Sequence, residues 1–363
     1  MSAALLERND RELAATTAPR DRVRLLHDRA VLLARLGELD ASIAASSEAA
    51  RLLTAADPRC LHLRAGYVAA ILAYFSLRFD DASAGMRSVL EEARIDGHLA
   101  LVSECESALA LFLQREGDAR GAVRFARAVL ANDQATDEAR YRALLTLASL
   151  HENAGDFAAA ARLYGEMQAP LSAMGDDIAT ASWRSRSACN RAGQVRLSAV
   201  RGTLDPDELA STIAALRDSI AFASALSASV QRVIEHLALA EMQMLAGNFG
   251  EALTTYDAHL PGAETTGSLT EVTIAIADRA LCLLRLGRAA EAAAGIARAL
   301  SRLDVATPAE TRAIVHGDAA EIASAAGRTH DAQQQHEQLT RIAWAAARHE
   351  QREARRMLVE PQP

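Results

Sequence analysis

The sequence has 363 residues, half of them hydrophobic but only 4% aromatic, and a formal charge of −8. Alanine and leucine dominate while valine, isoleucine and threonine are sparse, a balance that favours helices over sheets. All 39 basic residues are arginine. The lack of lysine excludes a P-loop, a kinase-type ATP site and Schiff-base chemistry on pyridoxal phosphate or an aldolase substrate, and the acidic balance gives no electrostatic reason to bind nucleic acid.

Residues 1–20 read as an N-terminal helix without the basic-then-apolar pattern of a leader, and no window approaches the roughly 18 apolar residues of a membrane span. A cytoplasmic protein with no membrane partner is expected. From residue 21 a helical pattern recurs with a period of about forty residues. Its punctuation is Gly37, Gly117, Gly155, Gly247, Gly287 and Gly327, with Leu77 in the slot between the first two. Seven residues before each stand Ala30, Ala70, Ala110, Ala148, Ala240, Ala280 and Ala320, and five after stand Ser42, Ala82, Ala122, Ala160, Ala252, Ala292 and Ala332. Each unit is therefore expected to be a helix, a tight turn through a left-handed residue and a second helix, with small residues where the two helices cross.

This pattern, in segments such as LASLHENAGDFAAAARLYGEMQAP (Leu147 to Pro170) and LAEMQMLAGNFGEALTTYDAHLP (Leu239 to Pro261), resembles the tetratricopeptide repeat. The early tryptophan of that repeat is missing, and the period exceeds its usual ~34 residues. The resemblance implies an all-α, α-α superhelix of about eight helix pairs, forming one solenoid over 1–363. Repeats 1–4 occupy 21–175, an irregular arginine-rich unit 176–228, repeats 6–8 229–340, and a C-terminal helix and tail 341–363. In the irregular unit a helix is expected from Asp177 to Val200, a turn at 201–206 and a second helix from Asp207 to about Leu226, with Asp205 as its N-cap. The final helix should run from about His330 to Leu358 and cap the solenoid with a polar outer face. Its ending, ARHEQREARRMLVEPQP, is similar to the helical connectors that follow tetratricopeptide sensory regions of bacterial signalling proteins, notably those attached to diguanylate cyclases; the cyclase signature itself is absent. The lysine-free, Ala/Arg-rich composition points to a GC-rich bacterial source.

No catalytic constellation emerges. His151-Glu152, His336-Glu337 and His349-Glu350 lack the second histidine of a zinc protease helix, and there is no nucleophile elbow, dinucleotide-binding glycine motif or calcium loop. Cys60, Cys105, Cys189 and Cys282 are too dispersed for a metal site and read as reduced core thiols. No cofactor, no metal and no enzymatic activity are expected. The informative positions are those that the resemblance places on a concave groove. Thirteen residues before the turn stand Arg24, Arg64, Glu104 and Arg142, then Ile234, Ile274 and Ile314. Arg24, His27, Arg64, Tyr67, Tyr74 and Arg142 would suit an acidic ligand, with aromatic stacking. Ile234 and Ile274, with Leu237, Met244, Leu281 and Leu284, would suit an apolar segment. Arg184 and Arg191, seven residues apart in the irregular helix, share a face that could hold an anion. The alternative for all of them is ordinary core and solvated rim. The expected function is a scaffold for another protein or peptide, one with an acidic segment; the rival is a sensor of a peptide or small anionic ligand that signals through its C-terminal helix.

Overall fold

A computed structural model of the chain describes residues 2–35, 37–175, 177–225, 232–266, 269–304, 307–325 and 330–359. It is helical throughout. After α1 (Ser2–Ala15) come four hairpins: α2 (Pro19–Arg35) with α3 (Leu39–Leu52), α4 (Arg59–Phe75) with α5 (Phe79–Ile95), α6 (Leu99–Glu116) with α7 (Ala119–Ala131), and α8 (Asp137–Asn153) with α9 (Phe157–Glu166). A short α10 (Gln168–Met174), not foreseen in the sequence, precedes α11 (Asp177–Val200) and α12 (Pro206–Ala225). The remaining hairpins are α13 (Arg232–Leu245) with α14 (Phe249–Thr266), α15 (Leu269–Arg285) with α16 (Ala289–Leu300), and α17 (Ala309–Ala325) with α18 (His330–Val359). The expected eight helix pairs are thus present, and Asp205 caps α12 by accepting from the Asp207 amide at 2.9 Å. Residue 340 lies inside α18, which is a single helix from residue 330. Among the described residues no helix is long and apolar enough to cross a membrane.

The turn chemistry explains the periodicity. Gly37, Gly117, Gly155, Gly247 and Gly287 all have positive φ, between 65° and 86°; Gly327 lies outside the described residues. At each, the next amide returns to a carbonyl five residues back, as in Asp118 to Leu113 at 2.8 Å and Arg288 to Leu283 at 2.9 Å. This closes the first helix and aims the chain into the second. Asp118 and Asp156 then cap the second helix by accepting from Gly121 and Ala159 amides. The alanine register marks the helix crossings: Ala30, Ala110, Ala148, Ala240 and Ala280 are fully buried, as are Ala82, Ala122, Ala160, Ala252 and Ala292 opposite them. Ser42, the exception in that column, is also buried and donates its hydroxyl to the Ala30 carbonyl, so its polarity is satisfied in place.

First helices pack on the first helix of the next unit, as α2 on α4, α6 on α8, α11 on α13 and α15 on α17. Each second helix wedges between its own partner and the next first helix, as α5 against α4 and α6. The first helices therefore form an inner layer, and the apolar core runs between the layers from Val23 to Ile322 in adjoining clusters.

Leu77 adopts φ 61°, the one non-glycine with positive φ among the described residues, and its side chain is 68% exposed. A leucine gains no packing there and bears the Cβ–carbonyl clash of the left-handed region, about 1 kcal/mol. Leu77→Gly is expected to raise the urea midpoint slightly, by an amount that corresponds to at most about 0.5 kcal/mol once glycine's greater freedom in the unfolded chain is subtracted. A lowered midpoint would show that the turn takes another conformation.

Candidate ligand groove

The inner layer carries charge at both ends, arranged differently. In the N-terminal half, Arg64 on α4 pairs with Glu104 on α6 and lies 3.5 Å from Asp28 on α2, with its guanidinium 4.8 Å above the Tyr67 ring. Tyr67, buried, accepts from Arg142 on α8 at 2.9 Å, and Arg142 also pairs with Glu138. Arg35 at the end of α2 reaches the same Glu138. His27 is buried beneath Arg64, and desolvation, reinforced by that positive charge, lowers its pKa to about 4, so it is neutral.

Four residues expected in this groove, His27, Arg64, Tyr67 and Arg142, are therefore brought together. Arg24 is not: it is exposed on α2, 3.8 Å from Asp21. Tyr74 lies further along α4, stacked on Phe112 at 4.5 Å with Arg115 beside its ring. Three arginines (35, 64 and 142) face three carboxylates (28, 104 and 138), so this half is close to charge balance.

The irregular helix α11 presents a different arginine from those singled out. Arg184 lies 4.1 Å over the Phe222 ring and Arg191 donates to the Ser211 hydroxyl at 2.9 Å, so both turn towards α12. The inner side belongs to Arg196, whose side chain is 16% exposed. It pairs with Glu241 on α13 and binds Asp278 on α15 through two bonds of 3.0 and 3.2 Å. Asp278, itself 1% exposed, also accepts from the buried Tyr256 hydroxyl at 3.2 Å. Asp318 and Glu310 on α17 complete the group within the field of Arg196, and Glu310 accepts from Gln351 of α18 at 3.2 Å.

Burial pushes Glu241 up to about 7 against the pull of Arg196, and raises Asp318 and Glu310 in the same way. Ile234 and Ile274 are half-buried, while Leu237 and Met244 are absorbed into the core. The signal for the acidic group was present in the sequence: nine residues before the turn, where other units have Val68 or Ala108, stand Asp28, Asp278 and Asp318.

Three of the four thiols are held in the unreactive, protonated form. Desolvation raises Cys105 and Cys282 to about 12 and lifts Cys189 as well. Among the described residues no three His, Cys, Asp or Glu side chains gather as metal ligands.

Stacked hairpins with first helices inside, turning through left-handed residues, define a superhelix of the tetratricopeptide type. No family model and no curated protein matches the sequence. Solved structures do match in fold. A Rap protein complexed with Competence and Sporulation Factor superposes with a TM-score of 0.59 at 11% identity, over 93% of this chain and 99% of that one. A STAND protein with a tetratricopeptide repeat sensor, from Pyrococcus horikoshii, gives 0.57 at 12% identity, covering 95% of this chain but 52% of its own. The apo quorum sensor NprR from B. thuringiensis gives 0.50 at 13% identity, over 84% and 83% of the two chains.

Because Glu241 carries a raised value in the folded state, the folded protein holds a proton that the unfolded chain releases between its ordinary 4.5 and about 7. This contribution to stability is greatest at the acid end of that window and falls as pH rises through it, with Asp318 and Glu310 acting in the same direction. Buried His27, neutral in the fold, contributes in the opposite direction between about pH 4 and 6.5, so the carboxylate effect is read as the difference between the wild type and Glu241→Gln. Between pH 5 and 8 the stability of the wild type relative to Glu241→Gln should fall by about 1–3 kcal/mol in urea midpoints; a difference that does not change with pH would mean that Glu241 is charged throughout.

Proposed function

We propose that the chain is a non-enzymatic, cytoplasmic scaffold of bacterial signalling or regulation that holds a peptide or an extended protein segment along its inner layer. The observation that supports this most is the line of polar side chains, from Arg64 to Asp278, held in place by neighbours on other units and borne by the helices on the inside of the curve. Such pre-ordered groups recognise a ligand at low entropic cost. The Rap structure, of the same fold over nearly the whole chain, was solved with Competence and Sporulation Factor, which is consistent with this use of the fold. In the N-terminal half a ligand carboxylate would have to displace Glu104 or Glu138 from Arg64 or Arg142; that exchange is the form in which an acidic segment would be read.

Selection of random amidated peptides on the full chain, followed by fluorescence anisotropy, tests the proposal. Binders should lose about tenfold in affinity to Arg64→Gln while the thermal melt stays cooperative. A selection that enriches no peptide would refute the scaffold reading.

One observation favours the sensor form of this function. The end of α18 leaves its own hairpin and docks on the N-terminal half. Arg355 donates to the carbonyls of Ala154 and Gly155 at 3.2 and 2.7 Å, Arg127 donates to the Leu358 carbonyl at 2.6 Å, and Leu358 is buried in the N-terminal core. A guanidinium at the carbonyl end of α8 is also favoured by the helix dipole. A ligand that changed the spacing between α8 and α17 would thereby load or release α18. Arg355→Ala should enlarge the radius of gyration in solution scattering and weaken the dependence of those dimensions on a bound peptide. Unaltered scattering in the variant would exclude α18 as the link.

A further inference from the structure

The two ends of the inner layer differ in charge closure. In the N-terminal half each carboxylate of the network has its guanidinium. Around Arg196 four carboxylates gather: Glu241 and Asp278 pair with it, while Asp318 and Glu310 lie within its field without an ion pair among the described residues. Both terminal nitrogens of Arg196 are already spent on Asp278 and Glu241. The neighbouring cations are engaged elsewhere: Arg285 with Glu321, Arg279 with Asp257 and Arg302 with Glu264. Asp318 is left with an oxygen, Oδ2, that is closed off from solvent and accepts no hydrogen bond. Glu310 has only the neutral Gln351 amide at hydrogen-bonding distance.

A buried carboxylate oxygen without a donor carries a full desolvation penalty, and a surplus of such groups is stabilised by a cation brought from outside. We infer that Asp318, Glu310 and Glu241, set around the Arg196–Asp278 pair, form a subsite for a cationic side chain, arginine or lysine, of a bound peptide. The inference rests on the peptide-binding reading above and specifies the ligand's chemistry. Burial is the first cause of the raised values of Glu241, Asp318 and Glu310, and a cation held among them would lower these values again. The carboxylates come from three inner helices, α13, α15 and α17, and among the described residues they do not converge as metal ligands. An extended organic cation with several N–H donors suits that spread better than a bare ion. Gln351 places α18 at the margin of the subsite, so its occupation would be felt by the helix that docks on α8.

The test uses the full chain and two pools of random amidated heptapeptides, identical except that the central residue is arginine in one and citrulline, its neutral isostere, in the other. The arginine pool should bind about tenfold more tightly than the citrulline pool, and Asp318→Asn should remove most of that difference. Glu310→Gln, at the margin, should reduce it and serves if Asp318→Asn fails to fold by circular dichroism. Agmatine should compete only at far higher concentration than the peptides. Equal binding of the two pools, or an arginine preference unchanged in the variants, would overturn the cationic subsite and leave the peptide-binding reading intact. Agmatine as tight as the peptides would show a small free organic cation to be the ligand and overturn the peptide assignment. Binding of neither pool would overturn both readings.

Discussion

Small, fully buried side chains recur at fixed positions in both helices of the hairpins, and the rest of the structure depends on the close helix crossing they allow. Where Ala110 and Ala122 or Ala280 and Ala292 meet the crossing, a larger residue would push the helix axes apart, since interiors at crystal density absorb extra methylenes poorly. In the α15–α16 hairpin the tolerance is nearly exhausted: a Cβ on Gly295 would stand 3.0 Å from that of Ala280. Close crossings keep the two layers of the solenoid thin, and a repeated crossing geometry compounds unit by unit into a curve. That curve places the first helices inside, and the polar groups of α2, α4, α6 and α8 can then meet across units separated in sequence by a whole repeat or more, as Arg35 meets Glu138.

Burying charge on the inside of the curve has consequences that differ between the halves. Around Tyr67 the guanidiniums and carboxylates are matched, and the neutral His27 lies below them without adding a charge. Such a network gains little over an apolar core in net stability, but losing one partner leaves another buried and unpaired. Around Arg196 the protein retains an acidic surplus that no internal packing argument requires. Valine, alanine or threonine occupies the equivalent position in four other units (Val68, Ala108, Thr146 and Ala238) without harm to the fold, so Asp278 and Asp318 are not demanded by the architecture. Groups that raise the cost of folding and are not needed for it are the ones to associate with binding.

Legibility followed the strength of the local rules. The turn residues and the alanine columns obey backbone sterics and close packing, both local, and they placed the hairpins and the span of α11 from single residues. Leu77 was legible as the odd member of its column, and it carries the glycine-like φ of its neighbours. Side-chain direction in the irregular unit was not legible, because α11 has 24 residues and its turn lies out of phase with the repeat, so nothing local sets its rotation. Arg184 and Arg191 do share a face, as their spacing implies, but the face turns to Phe222 and Ser211 of α12, while Arg196 takes the inner side. The isoleucine column in the C-terminal half drew attention to apolar positions when the departures within another column, nine residues before the turn, were the informative ones.

The docking of α18 could not have been read from any local pattern, since it joins residues about 200 positions apart. Its physical meaning follows from the solenoid itself. A stack of repeats held only by nearest neighbours is compliant, because small changes at each interface add along its length. A contact between the last helix and the middle of the stack turns that open chain of interfaces into a closed loop, in which a change at one interface must be compensated at the others or break the weakest. The weakest candidate is the α18 contact: among the described residues, buried Leu358 and half-buried Ala354, with hydrogen bonds from Arg355 and Arg127, set against the extended apolar seams of the hairpins. A ligand acting on the inner layer need therefore supply only the modest difference in free energy between the docked and released ends of one helix, which is the scale on which peptide binding can shift an equilibrium.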